Sequence, residues 1–162
     1  MRGARPAATF GWTLPAWTSA IKRAVRDHEV LVTRIRVLLA DDHEDFLRKL
    51  RGELDPEFEI VGTAENGEAA VDAVCRLDPD VLVIDMAMPV MDGLQATERL
   101  RGANCRTKIV FLTIREQSDY VAAAFSAGAS GYVTKRHLGT DLAAAIREVF
   151  RGHTFISPSL RR

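Results

Sequence analysis

The sequence predicts an α/β protein in which a parallel β-sheet is covered by helices on both faces. Three observations carry that reading. Residues 81–84 are the unbroken apolar run VLVI between Asp80 and Asp85; strands of a parallel sheet roofed on both sides are continuously apolar rather than alternating. From Ile35 onward, five short apolar runs alternate with five segments of helical periodicity, the pattern of successive βα units. The apolar runs also stop abruptly at polar residues, at Asp41, Asp85, Thr113 and Lys135. In open α/β sheets the crevice beyond the carboxyl ends of the strands is where ligands bind.

Taken in order, residues 35–40 read as a buried strand and residues 44–54 as a helix. A second strand covers 58–64, and a helix over 67–77 turns Ala70, Val71 and Val74 inward. The third strand, 80–85, runs into a loop marked by Pro89 and the turn pair Asp92-Gly93, and a helix follows over 94–101. The fourth strand is 108–113, and the helix after it, 118–127, ends where Gly128 can take the left-handed conformation of a helix terminus. A short fifth strand, 131–134, leads directly into Lys135. The last helix, 141–151, faces Leu142, Ala145, Ile146 and Val149 inward and is followed by Gly152. The expected organisation is a basic extension over 1–34, one domain over 35–152 and a tail over 153–162.

The 162 residues suit a single domain with a full core, and 47% hydrophobic with 27% charged residues is ordinary globular composition. Net charge is zero but unevenly placed. Residues 1–34 hold Arg2, Arg5, Lys22, Arg23, Arg26 and Arg34 against Asp27 and Glu29, a net of +4, which leaves −4 on the rest. An acidic main body argues against a nucleic-acid-binding surface. Cys75 and Cys105 have no metal-ligand or paired spacing and read as free thiols of a reducing compartment. No apolar run is long enough to span a bilayer. The N-terminal stretch is diluted by Thr9, Gly11, Thr13, Pro15, Thr18 and Ser19 and makes a poor signal peptide, so the expected location is the cytoplasm. Residues 16–32 are expected to be partly helical. Alternatively, part of the extension lies outside the native product, with Val30 or Val32 as the start.

The strand ends can be read together because parallel strands bring their carboxyl ends to one edge. Asp41 and Asp42 follow the first strand, Asp85 the third, Thr113 closes the fourth and Lys135 follows the fifth. Three carboxylates in one crevice repel each other unless a cation joins them, and hard oxygen donors suit Mg²⁺. A hydroxyl and an ammonium add donors for the oxygens of a phosphoryl group. These are the parts needed to place a phosphoryl group on Asp85 as an acyl phosphate. Singly, each residue has an ordinary explanation: loop charges, a β-forming threonine, a solvated lysine. Their coincidence at four strand ends does not. His43 is read as a helix-start residue rather than a ligand, and Met86, Met88 and Met91 as packing residues of the loop.

The segments VLLADDH (37–43), VLVIDMAMPVMDG (81–93), KIVFLT (108–113) and GASGYVTK (128–135) resemble those of the bacterial two-component response regulator receiver domain. NGEAAV (66–71) and GHTFISPSL (152–160) are similar to its NarL/FixJ (LuxR-type) branch of transcription regulators. The resemblance implies a flavodoxin-like three-layer sandwich, a doubly wound five-stranded sheet in the order 2-1-3-4-5. It implies Asp85 as phosphoacceptor for a sensor histidine kinase, with Asp42, Asp85 and the backbone carbonyl of Ala87 as Mg²⁺ ligands and Asp41 acting mostly through water. Lys135 would pair with phosphorylated Asp85, Thr113 would swing toward the phosphoryl oxygen, and Tyr132 would turn inward. The surface of the fourth helix, fifth strand and fifth helix would then change, with homodimer formation as one output. The protein would be a signalling switch rather than an enzyme, limited to self-phosphorylation from phosphodonors and slow autodephosphorylation.

Several positions depart from the family pattern. Arg136 stands where many receivers have proline, Ile114 is bulky where a small residue is usual and is expected to restrict access to the site, and Ala87 offers no polar side chain. The NarL/FixJ resemblance also predicts a helix-turn-helix after SPSL, but the sequence stops at Arg162, so no specific DNA binding is expected of this chain alone. Two other classes compete. A metal-dependent phosphohydrolase would carry a second Asp two residues after its nucleophile, where this chain has Ala87. A stand-alone or phosphorylation-independent interaction module would need no phosphoacceptor.

Overall fold

The computed structural model describes residues 33–161. The expectations of a helix over 16–32 and of an alternative start fall outside them. From Ile35 onward the described chain forms one compact unit. Its elements are β1 (Arg36–Ala40), α1 (Glu44–Leu54), β2 (Glu59–Ala64), α2 (Gly67–Leu77), β3 (Val81–Ile84), α3 (Gly93–Gly102), β4 (Lys108–Thr113), α4 (Ser118–Ala127), β5 (Gly131–Thr134), α5 (Leu138–Phe150) and β6 (Phe155–Ile156). Short 3₁₀ turns at Lys135–His137 and Pro158–Leu160 flank the last helix and strand.

Among the described residues the strands form one sheet in the order β2-β1-β3-β4-β5-β6, every neighbouring pair parallel. The run that announces the fold shows why parallel strands are apolar throughout. Leu82 and Ile84 pack with α2, α3 and α4 side chains such as Val74, Leu100 and Ala124. Val81 and Val83 pack on the other face with α1 and α5 side chains such as Leu50, Leu142 and Ile146. Side chains alternate between faces with period two, and both faces are covered. Burying such a side chain stabilises by about 1.5–3 kcal/mol, so these four residues fix β3 at the centre.

Helix ends follow local chemistry. Asn66 caps α2, its side-chain oxygen accepting from Ala69 N at 2.8 Å. Asp92 and Gln95 form a reciprocal capping box at α3, each side chain accepting from the other's backbone N–H. Gly128, at φ 117°, terminates α4 in the left-handed region. The inward residues expected of α5 are buried, and so are Ala70 and Val74 of α2; Val71 is half-buried. Both cysteines are free thiols. No helix of the described residues is long and apolar enough to cross a membrane.

The sheet differs from expectation in having six strands, not five. After α5 the chain turns at Gly152, φ 88°, and Phe155 N donates to Ser130 O at 3.0 Å while Ser157 N donates to Tyr132 O at 2.9 Å. This adds β6 to the free side of β5. Buried Ser157 fixes the addition by donating to Asp141 Oδ2 at 2.7 Å and accepting from Thr134 N at 3.3 Å. The last helix also begins three residues earlier than its apolar pattern suggests, because the turn at Lys135–His137 feeds directly into it.

One loop residue is strained. Val90 has φ 68° and is 77% exposed, at the centre of a three-residue turn closed by Met91 N donating to Pro89 O at 2.8 Å. Such a turn at positive φ is rare for any residue and unfavourable for a β-branched one. Val90→Gly is therefore expected to stabilise the protein by about 1 kcal/mol, the relief of strain exceeding the entropy cost of glycine. The check is a higher urea midpoint at unchanged denaturant dependence.

Candidate functional site

Register brings the strand ends together. Ala40 is opposite Ile84 and Thr113 is opposite Thr134, so Asp41 and Asp85 leave neighbouring strands side by side and Lys135 leaves the sheet one residue beyond Thr113. Asp41 N donates to Ala64 O and Asp85 N to Ala40 O, which fixes both backbones to the sheet. Gly93 completes the fit behind Asp85: a Cβ there would overlap Asp85 O and press on the Phe111 ring.

Asp41 is 2% exposed and Asp85 7%. Lys135 joins them, with Nζ 2.6 Å from Asp41 Oδ2 and 3.5 Å from Asp85 Oδ2. In the structure the ammonium is thus closer to Asp41 than to Asp85. Burial would raise the Asp41 carboxyl, yet hydrogen bonds from Lys135 and from the backbone and ring of His43 outweigh it and hold it below the usual carboxylate value. Asp85 moves the other way. Burial raises it, aided by the Asp41 charge and opposed by Lys135 and by the backbone N–H groups of Met86 and Ala87.

Asp42 is exposed, as is Ala87; both line an open cleft of about 570 Å³ with Met88, Asp92, Arg115 and Tyr120. His43 precedes α1 as expected of a helix-start residue. Its Nδ1 also lies 2.9 Å from Asp41 Oδ1 and 3.1 Å from Asp42 Oδ1. Its hydrogen bond to Asp41, followed by the charges of Asp42 and Asp41, raises its pKa. Asp41, Asp42 and His43 have ligand atoms within 4.8 Å of one another; Asp85 connects to this group through Lys135.

Thr113 is buried, and its Oγ1 accepts from Arg115 N at 3.2 Å. Tyr132 is fully buried and donates its hydroxyl to Arg115 O at 2.8 Å; the inward position expected after phosphorylation is already present. Burial raises the Tyr132 hydroxyl well above its ordinary pKa, so it remains a donor. Ile114, the bulky residue after Thr113, is 75% exposed. Arg136 reaches Glu116 at 4.0 Å across the two loops, and no cis peptide bond occurs among the described residues.

Two contributors were not legible in the sequence. Arg115 supplies both backbone partners of Thr113 and Tyr132, and its guanidinium lies 5.0 Å from the Tyr120 ring. Phe46 places its ring 4.4 Å from Lys135 Nζ. Arg115 follows Thr113 by two residues and Phe46 sits in the helix turn after the acid pair, but neither spacing signals a partner on another element.

Residues 37–147 match the response regulator receiver domain family. The chain belongs to this family. This receiver is 39% identical over 128 residues to the uncharacterized transcriptional regulatory protein YvfU of Bacillus subtilis, covering 78% of the chain and 64% of that protein. It is 38% identical over 114 residues to the chemotaxis protein CheY of Halobacterium salinarum, covering 70% of the chain and 95% of that protein. A LuxR-family two-component response regulator from Aurantimonas superposes with a TM-score of 0.76 at 30% identity, over 79% of the receiver chain and 93% of that structure. The chain thus spans about two thirds of the length of the transcriptional relative.

The donor set of this receiver fits a hard divalent cation. Asp41, Asp42 and Asp85 supply only oxygens, Ala87 lines the same open cleft as Asp42, and the acidic excess is offset by one lysine and a histidine. Receiver domains bind Mg²⁺ in such an acidic pocket. Gly93→Ala is expected to lower stability by roughly 2 kcal/mol, since overpacking against fixed backbone costs about 1–3 kcal/mol, and to displace Asp85. Urea unfolding and the Asp85 amide resonance test both effects.

Proposed function

We propose that Asp85 is the phosphoacceptor of a two-component phosphorelay. The observation that carries this reading is a buried carboxylate raised in basicity by desolvation, with an ammonium 3.5 Å away and the Thr113 hydroxyl on the neighbouring strand at the same sheet edge. The donor is a phosphohistidine of a sensor histidine kinase. An Asp85 carboxylate oxygen forms a bond to phosphorus as the P–N bond breaks, and the released imidazole nitrogen takes up a proton. Asp42, Asp85 and the Ala87 carbonyl would hold Mg²⁺, with Asp41 acting through water; when bound, the ion supplies charge neutralisation for the phosphoryl oxygens. Lys135 shifts from Asp41 toward the new anionic oxygens, and the Thr113 hydroxyl exchanges its Arg115 contact for one of them. Tyr132 shares the backbone of Arg115 with Thr113, which couples that exchange to the α4, β5 and α5 surface.

The switch acts in the cytoplasm and is limited chemically to self-phosphorylation and slow autodephosphorylation. Similarity to YvfU supports an output in transcription within a longer protein, with homodimer formation on phosphorylation and no specific DNA recognition by this chain alone. A phosphorylation-independent interaction module is the second reading, favoured by the closer contact of Lys135 with Asp41 than with Asp85.

Incubation with Mg²⁺ and phosphoramidate or acetyl phosphate, followed by intact-mass measurement, separates the two. The expected result is one phosphoryl group on the wild type and none on Asp85→Ala; no adduct under conditions that load a control receiver would favour the interaction module. Lys135→Ala is expected to slow loading on the order of a hundredfold, the scale of one oxyanion donor, checked by the same time course.

A further inference from the structure

We infer that Phe46 is a positioning residue for Lys135, its ring face holding the ammonium at the sheet edge between Asp41 and Asp85. This rests on the reading of Asp85 as phosphoacceptor and names a residue, on a different element from the rest of the site, that sets how fast the site loads.

Phe46 lies in the first turn of α1, half-buried, its ring packed against the cluster of side chains beneath α1 and α5. That packing fixes the ring, whose centroid is 4.4 Å from Lys135 Nζ. The ammonium is therefore enclosed by the Asp41 carboxylate at 2.6 Å, the Asp85 carboxylate at 3.5 Å and the Phe46 face, and the lysine side chain is only 17% exposed. An ammonium is strongly hydrated and its four-carbon stem is flexible. Without the ring, water would replace it at Nζ, and the exposed carboxylate of Asp42 would compete for the charge from the open side.

The ring attracts the cation through its quadrupole without accepting a directed hydrogen bond. It therefore holds Nζ in place while leaving its N–H groups free to pass from Asp41 to an anionic oxygen developing on Asp85. A hydroxyl or carboxylate in the same place would compete with that oxygen. An aliphatic side chain would exclude water without attracting the charge, and this contrast makes the contribution measurable.

The test uses the full chain with Phe46→Leu, Phe46→Trp and a series of mono-, di- and trifluorinated phenylalanines at position 46, which weaken the ring quadrupole at nearly constant shape. Two quantities are read: the rate of Asp85 loading from phosphoramidate with Mg²⁺, and the water-exchange rate of the Lys135 ammonium protons by NMR without metal or donor. Loading is expected to fall stepwise along the fluorine series and roughly three- to tenfold in Phe46→Leu, on the scale of a partly buried cation–π contact, while Phe46→Trp retains it. Ammonium exchange is expected to quicken in the same order, with urea midpoints of the fluorinated proteins unchanged. Exchange and loading rates indifferent to fluorination, or wild-type loading in Phe46→Leu, would overturn the assignment. Absence of any adduct on the wild type would instead overturn the phosphoacceptor reading, which the ammonium measurement does not use.

Discussion

Two carboxylates buried at one sheet edge are held together by a single ammonium that reaches both. An unpaired buried charge costs several kcal/mol even after relaxation, and Asp41 and Asp85 leave adjacent strands in register, where neither can move away. Lys135 resolves the conflict unequally, 2.6 Å from one and 3.5 Å from the other. The consequence is a difference in basicity between chemically identical groups. Asp41, given three hydrogen-bond donors, is a settled anion, while Asp85, with less compensation for its burial, is the more basic of the two. Environments that push paired titratable groups apart are how one site obtains two roles from one functional group.

The rest of the edge is arranged around that lysine. The loop after β4 is tied by one residue to two strands: Arg115 gives its N–H to Thr113 at the end of β4 and takes a proton donor from Tyr132 on β5. Because Thr113 and Tyr132 are both buried, neither has water as an easy substitute partner. The Thr113 and Tyr132 side chains thus share the backbone of one residue, Arg115. Gly93 serves the same edge from below, allowing α3 to start directly against the Asp85 backbone.

How much of this could be read from the sequence depended on whether the information was local. The run VLVI is apolar because both faces of β3 are covered, so the central strand and the fold class were legible from four residues, and inward faces such as Leu142, Ala145, Ile146 and Val149 follow from helical period alone. The site residues Asp41, Asp85, Thr113 and Lys135 were legible because each interrupts an apolar run at a strand end. Strand β6 was not. Two residues are too few to show a period, and its place is fixed by Ser157 contacting Asp141 and Thr134, a hydrogen-bond arrangement that no spacing reveals. Phe46 escaped for a related reason: an aromatic in an amphipathic helix reads as core, and its contact with Lys135 joins residues far apart in the chain.

The short sixth strand also bears on how copies of this domain can meet. Without it, β5 would present a row of unsatisfied N–H and C=O groups to any passing chain, and an open edge of that kind templates sheet-to-sheet aggregation. Phe155 and Ile156 occupy that side through Gly131 and Tyr132, and the new border is only two residues long before Pro158 turns the backbone away. The strand bearing Tyr132 is thereby shielded from continuous β-pairing with a neighbour. Association on this flank must proceed through side chains, which can be made and released, rather than through an extended ladder that would lock two copies together.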